Sequence, residues 1–91
     1  MVTIKEAVQN AETFAKETLG LERAAGLQLE EVESTNLGGE EAWLITLSMV
    51  VPQETLHFTM FPELKRIYKV FTVLKKDGEV TSMKIRELAA M

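Results

Sequence analysis

The feature that most limits what this chain can become is Lys76-Asp77-Gly78-Glu79, set between two alternating runs at residues 67–74 and 80–88. Asp-Gly between such runs is the strongest short-range signal of a β-hairpin, because a tight turn needs positive φ and glycine reaches it without a Cβ clash. The C-terminal part is therefore expected to form two antiparallel strands. A two-residue turn sets Val70 opposite Ile85 and Thr72 opposite Met83, whereas a three-residue turn with a glycine bulge slips the register by one. Alternation puts Tyr68, Val70 and Leu74 on one face and Ile67, Phe71 and Val73 on the other.

The N-terminus reads as a helix. Thr3 followed by Glu6 is a capping box, in which hydroxyl and carboxylate each satisfy a backbone donor that the first helical turn leaves unpaired. Ile4, Ala7, Val8, Ala11, Phe14, Ala15 and Leu19 then recur at helical spacing, and Gly20 is placed to end the helix in the left-handed conformation. The stripe is narrow and alanine-rich, which suits close packing on a sheet. Residues 21–26 fit either a short helical turn or a connector.

Beyond the connector the periodicity changes to that of strands. Leu27, Leu29 and Val32 stand among Glu30, Glu31 and Glu33, and the slip from odd to even positions predicts a β-bulge near Glu30-Glu31 in a short, acidic edge strand. Asn36-Leu37-Gly38-Gly39-Glu40 predicts a loop joining antiparallel strands. Trp43, Ile45, Leu47, Met49 and Val51 alternate with Ala42, Leu44, Thr46, Ser48 and Val50, the pattern of a central strand. The segment 52–62 is bracketed by Pro52 and Pro62 and fits an edge strand or an apolar loop. The expected fold is α+β: one N-terminal helix packed on a curved antiparallel sheet of about four strands, ending in a β-hairpin.

Size and composition set outer bounds. A chain of 91 residues has core enough for one domain, 1–91, since it buries only ~60 to 65% of its unfolded surface. Apolar residues at 46% and charged residues at 26% are globular values. The lack of cysteine excludes disulfides, thiolate metal sites and thiol nucleophiles. Residues 1–6 do not resemble a signal peptide, and the apolar stretch 42–52 is too short to span a bilayer as a helix. These readings predict a soluble cytoplasmic protein with no membrane partner.

Charge is unevenly distributed. Net charge is -4, with nine of the fourteen acids but three of the ten bases in residues 1–45. A pI near 5.0 and the absence of a dense basic cluster argue against nucleic acid, where neutralising phosphates dominates affinity. The seven bases of the C-terminal half can still steer an acidic protein partner.

One helix followed by antiparallel strands, with Tyr68-Lys69-Val70-Phe71-Thr72-Val73 and a turn exit at Gly78-Glu79-Val80, resembles the small PepSY-like domains, whose broader architecture is cystatin-like. The resemblance covers most of the chain and implies a helix laid across a curved antiparallel sheet. It further implies a protein that binds or inhibits peptidases, in a group mostly secreted or membrane-tethered. The apolar stretch 51–61 looks like an insertion relative to that group.

No residue pattern matches known catalytic or cofactor chemistry. His57 is the sole histidine, and its neighbours Leu56 and Phe58 offer neither a carboxylate nor ligand spacing, so it reads as structural or surface. Glu30, Glu31, Glu33, Glu40 and Glu41 could collect a divalent cation, but their spacing matches no calcium loop and fits a solvated face that discourages edge pairing. Ser34, Thr35, Ser48 and Ser82 lack a nucleophile setting, and Gly38-Gly39 is too short for a phosphate cradle. Trp43 reads first as core, with a binding mouth shared with Tyr68 as the other reading. No catalytic residue, cofactor or metal is expected.

The remaining signal is apolar surface. One short helix cannot cover both faces of the hairpin, so an uncovered face predicts sheet-to-sheet packing in a homodimer, or a groove for another protein. The leading expectation is a non-enzymatic protein-binding module: an inhibitor, immunity-type factor or regulatory subunit. Its contact residues would be Leu56, Phe58, Met60 and Phe61 in the 52–62 segment and Phe71 and Val73 on the sheet. The acidic first strand, or Lys84 and Arg86, would set electrostatic specificity. The alternative is a small-ligand-binding protein or minor enzyme with a pocket between helix and sheet, lined by Trp43, Tyr68 or His57.

Overall fold

The structure is a computed structural model that describes residues 1–52 and 64–86. Helix α1 spans Ile4–Leu19, followed by strands β1 (Ala25–Leu37), β2 (Glu40–Pro52), β3 (Leu64–Leu74) and β4 (Val80–Arg86). The strands pair antiparallel in the order β1-β2-β3-β4, so each strand neighbours the next in sequence. This is the expected α+β arrangement, with β2 central and β1 at an edge.

The capping box forms as read: the Glu6 amide donates to Thr3 Oγ1 at 3.2 Å and the Thr3 amide to Glu6 Oε1 at 3.3 Å. Gly20 closes the helix at φ 84, but its ψ of 160 is extended rather than left-handed. Ala7, Ala11 and Ala15 are fully buried against Ile45, Leu47, Phe71 and Val73. Alanines every four residues bring the helix backbone near the sheet, where Phe14 meets Phe71 edge-on with ring centroids 6.2 Å apart. The core therefore lies on the odd-numbered face of β2 and β3.

The register of β1 against β2 shifts between Leu29 and Glu31, which places the bulge at the expected residues. The edge strand is longer than the expected short one and runs on to Leu37. Gly38 and Gly39, at φ 61 and 94, make the tight two-residue turn in which both central residues need positive φ.

The β3–β4 strands take the register slipped by one from the two-residue turn, with Val70 facing Lys84 and Thr72 facing Ser82, but they join through a longer loop than either turn considered. The last pair is Leu74 with Glu79, whose carbonyl accepts the Leu74 amide at 2.9 Å, so the loop holds the four residues Lys75, Lys76, Asp77 and Gly78. Val73 faces Val80, and a register shift of one residue between Val73 and Thr72 then sets Thr72 opposite Ser82 and Phe71 opposite Met83. Anchoring at Lys75 explains the longer loop. Its amide donates to the Glu41 carbonyl at 3.0 Å and its carbonyl accepts from Val2 at 2.7 Å, so it continues the β2–β3 ladder and cannot serve as a tight-turn residue.

Candidate functional site

Even-numbered residues of β2 and β3 face away from the helix, and their chemistry differs from that of the core. Thr46, Ser48 and Thr72 are buried there, and each hydroxyl has a partner. Arg86 Nη1 donates to Thr46 Oγ1 at 2.9 Å, Arg66 Nη1 to Ser48 Oγ at 2.8 Å, and Ser82 Oγ to Thr72 Oγ1 at 2.8 Å. Ser48 Oγ in turn donates to Glu30 Oε2 at 2.6 Å. Burial of a hydroxyl is costly without such partners, so the network stabilises this surface in one arrangement.

Arg86 crosses β3 to reach Thr46 on β2 and also pairs with Glu31 of β1, opposite Thr46, at 3.2 Å. With both side chains more than a third exposed, the pair adds little stability by itself. Beside it, Glu31, Glu33, Leu44, Thr46, Val70 and Arg86 line an open depression of about 350 Å³. Its floor is apolar and half-buried, its β1 side acidic and its β4 side basic. Such a surface can hold a side chain or a second protein face, but it brings together no nucleophile, base and orienting group in a water-excluded site. Among the described residues, no three acids or histidines gather to hold a metal ion, and no helix is long and apolar enough to cross a membrane.

A second cluster lies on the helix side, at the hairpin end. Lys75 is buried, with Nζ 4.1 Å from the centre of the Trp43 ring and 2.5 Å from Ser34 Oγ, to which it donates. Trp43 Nε1 donates to the Val2 carbonyl at 3.4 Å, and Asn10 Nδ2 to the Gly78 carbonyl at 3.0 Å. The cation sits on an aromatic face in place of a carboxylate, and the contacts clasp the chain's first residues to the hairpin. Nearby, Met1, Gly39, Glu40, Glu41, Lys75 and Lys76 surround a shallow space of about 310 Å³. At its rim the Lys76 ammonium is held above its ordinary pKa, first by a hydrogen bond to Glu40 and then by that carboxylate's charge.

The sequence-predicted contact residues separate into three groups. Leu56, Phe58, Met60 and Phe61, with His57, lie outside the described residues. Phe71 and Val73 are fully buried beneath α1, which corrects their expected place on a partner-facing surface: they are this chain's own core. Lys84 and Arg86 do stand on the face away from the helix, Lys84 exposed and Arg86 half-buried.

Two further expectations change. Trp43 packs on the helix side, whereas Tyr68 shares the outer face, in register with Ser48 and Arg86. They form no common mouth. Between helix and sheet the alanines of α1 press directly on the core, and both depressions described above lie away from that interface. Reading by alternation missed Leu44, Thr46 and Arg66. The signal was the run of hydroxyl and basic residues at even positions, Thr46, Ser48, Arg66, Thr72, Ser82, Lys84 and Arg86. Comparisons with protein-family models, curated proteins and solved structures returned no match for this chain.

Proposed function

We propose that this chain is a small non-enzymatic protein-binding module, an inhibitor, immunity-type factor or regulatory subunit, whose contact surface is the sheet face turned away from the helix. One observation carries the reading: α1 covers a single face, while the other sets half-buried Leu44 and Val70 between an acidic margin on β1 and basic residues of β3 and β4. An apolar centre with a charged rim is the anatomy of a protein contact, the centre providing affinity and the rim orientation and partner choice. The helix-then-meander order is also what the PepSY-like resemblance implies, and it supports an inhibitor-like role. The contribution of Leu56, Phe58, Met60 and Phe61 to the contact is proposed from the sequence alone.

A photo-crosslinking residue placed in the native cell at Val70 or Leu44, and for comparison at Lys5 on the exposed side of α1, tests this reading. The expected result is a discrete adduct from the sheet positions and none from Lys5. Adducts from Lys5 alone, or none from either face, would overturn it.

A further inference from the structure

The outer face is charged asymmetrically, and the registers show how. Across one row stand Glu33, Leu44, Thr72 and Ser82; across the next, Glu31, Thr46, Val70 and Lys84. Tyr68 and Arg86 follow beside Ser48. Acids thus occupy the β1 margin and bases the β4 margin. Glu31 is engaged by Arg86 of its own chain, whereas Glu33 and Lys84 are both exposed and in no ion pair among the described residues.

We infer that the partner of this face is a second copy of the chain, packed face to face about a two-fold axis parallel to the strands. The inference rests on the reading of this face as a contact surface and adds the identity and orientation of what covers it. Rotation about such an axis keeps each row at its level and reverses the strand order. It lays β1 of each copy over β4 of the other and β2 over β3. The acidic margin then meets the basic margin twice, with Lys84 level with Glu31 of the other copy and one row, about 7 Å along the strand, from its Glu33, across a sheet separation of about 10 Å that both long side chains span.

A two-fold axis in the plane of the sheet but perpendicular to the strands would stack β1 on β1 and β4 on β4. Like charges would then oppose each other along both margins. Joining the β1 edge of one copy to the β4 edge of another also matches charges, but that contact is head-to-tail and leaves an open edge at each end. The facing arrangement closes at two copies.

Its extent suits a reversible dimer. Four strands at about 4.8 Å spacing and ten residues at about 3.3 Å rise outline a face of roughly 19 by 33 Å. That is roughly 600 Å², somewhat below the ~800 Å² per partner of a standard stable interface. Half-buried Leu44 and Val70 give this face an apolar centre that half-buried Leu74 extends toward the hairpin end, and the paired hydroxyls of Thr46, Thr72 and Ser82 need no partner from the second copy.

Sedimentation velocity of the purified chain, from low to high micromolar concentration, tests the inference with Glu33→Lys, Lys84→Glu and the double variant. All three are checked for native circular dichroism, and Leu44→Glu serves as a variant at the centre. The wild type is expected to move from monomer to dimer with concentration. Each single reversal is expected to weaken the dimer about tenfold, the double to return it to within about threefold of wild type, and Leu44→Glu to leave monomer only. A wild type that stays monomeric, a species that grows beyond two copies, or a double variant no better than the singles would overturn it. If the wild type is monomeric while the Val70 crosslinker still captures a different protein in cells, self-association fails and the contact surface stands.

Discussion

Neighbouring residues on opposite faces of β3 should respond very differently to truncation. Phe71 is fully buried among Ala7, Ala11, Ala15, Ile45 and Leu47 and meets Phe14 edge-on. Phe71→Ala removes a ring that the alanine-lined helix cannot collapse to replace, so both transfer energy and a cavity are lost, a cost of about 3 to 5 kcal/mol. A domain of 91 residues has a total stability of about 5 to 14 kcal/mol, so the change removes a large share of it. With a urea m-value of about 1.5 kcal/mol per M, the unfolding midpoint should fall by about 2 to 3 M. Val70, next in the chain but half-buried on the outer face, encloses no cavity, and Val70→Ala should cost about 1 kcal/mol or less. Urea titrations followed by circular dichroism, at protein concentrations where the chain is monomeric, measure both. A Phe71→Ala cost below about 1.5 kcal/mol, or a Val70→Ala cost equal to it, would refute the assignment of the two faces.

Three further outcomes follow from local geometry. Gly78→Ala should destabilise by about 1 to 3 kcal/mol in the same titration, because φ is +78 and the added Cβ would stand 2.6 Å from Asn10 Nδ2. Trp43→Leu leaves the buried Lys75 cation without its aromatic face and should cost about 2 to 4 kcal/mol, whereas Lys75→Met should cost less than about 1 kcal/mol. Lys76 has a folded pKa raised above 10.5 by Glu40, so its stabilising contribution is complete below that pH and is lost as pH rises through the raised value. Wild type should show a slightly steeper alkaline decline than Lys76→Gln, and identical alkaline profiles would remove the pairing from the account.

How far residues reveal structure depended on whether one local interaction decided the outcome. Thr3 and Glu6 form their reciprocal bonds within one helical turn, and Gly38-Gly39 supplies both positive φ values of a tight turn. Such features need no knowledge of the rest of the fold. The Glu30-Glu31 bulge was visible because a register slip changes which residues are apolar. The second hairpin was not, because Asp77-Gly78 is compatible with several loop lengths. What selects four residues is remote: Lys75 is held by Glu41, Val2, Trp43 and Ser34, which adjacent sequence does not specify.

The choice of buried face was missed for a related reason. Alternation separates Ile67, Phe71 and Val73 from Tyr68, Val70 and Leu74, but both sets are apolar and either could lie under the helix. Reading β3 alone leaves that choice open. Reading it with its partners resolves it, since Thr46 and Ser48 on β2 and Ser82, Lys84 and Arg86 on β4 share a face with Val70 and would desolvate hydroxyls and charges beneath α1. Three strands thus agree on one face where β3 alone is ambiguous.

The central claim is that the face carrying Leu44, Val70 and Leu74 is what the molecule presents to a partner, in the first place to another copy of itself. Methyl NMR spectra recorded over a dilution series of the wild-type chain test it most directly. Leu44, Val70 and Leu74 should shift together along one binding curve, while Ile45, Leu47 and Val73 in the core and Ile4 on the outer helix surface stay fixed. A curve carried by Ile4 and Ile85 instead would place the contact elsewhere, and spectra unchanged across the whole series would contradict the self-association on which the claim rests.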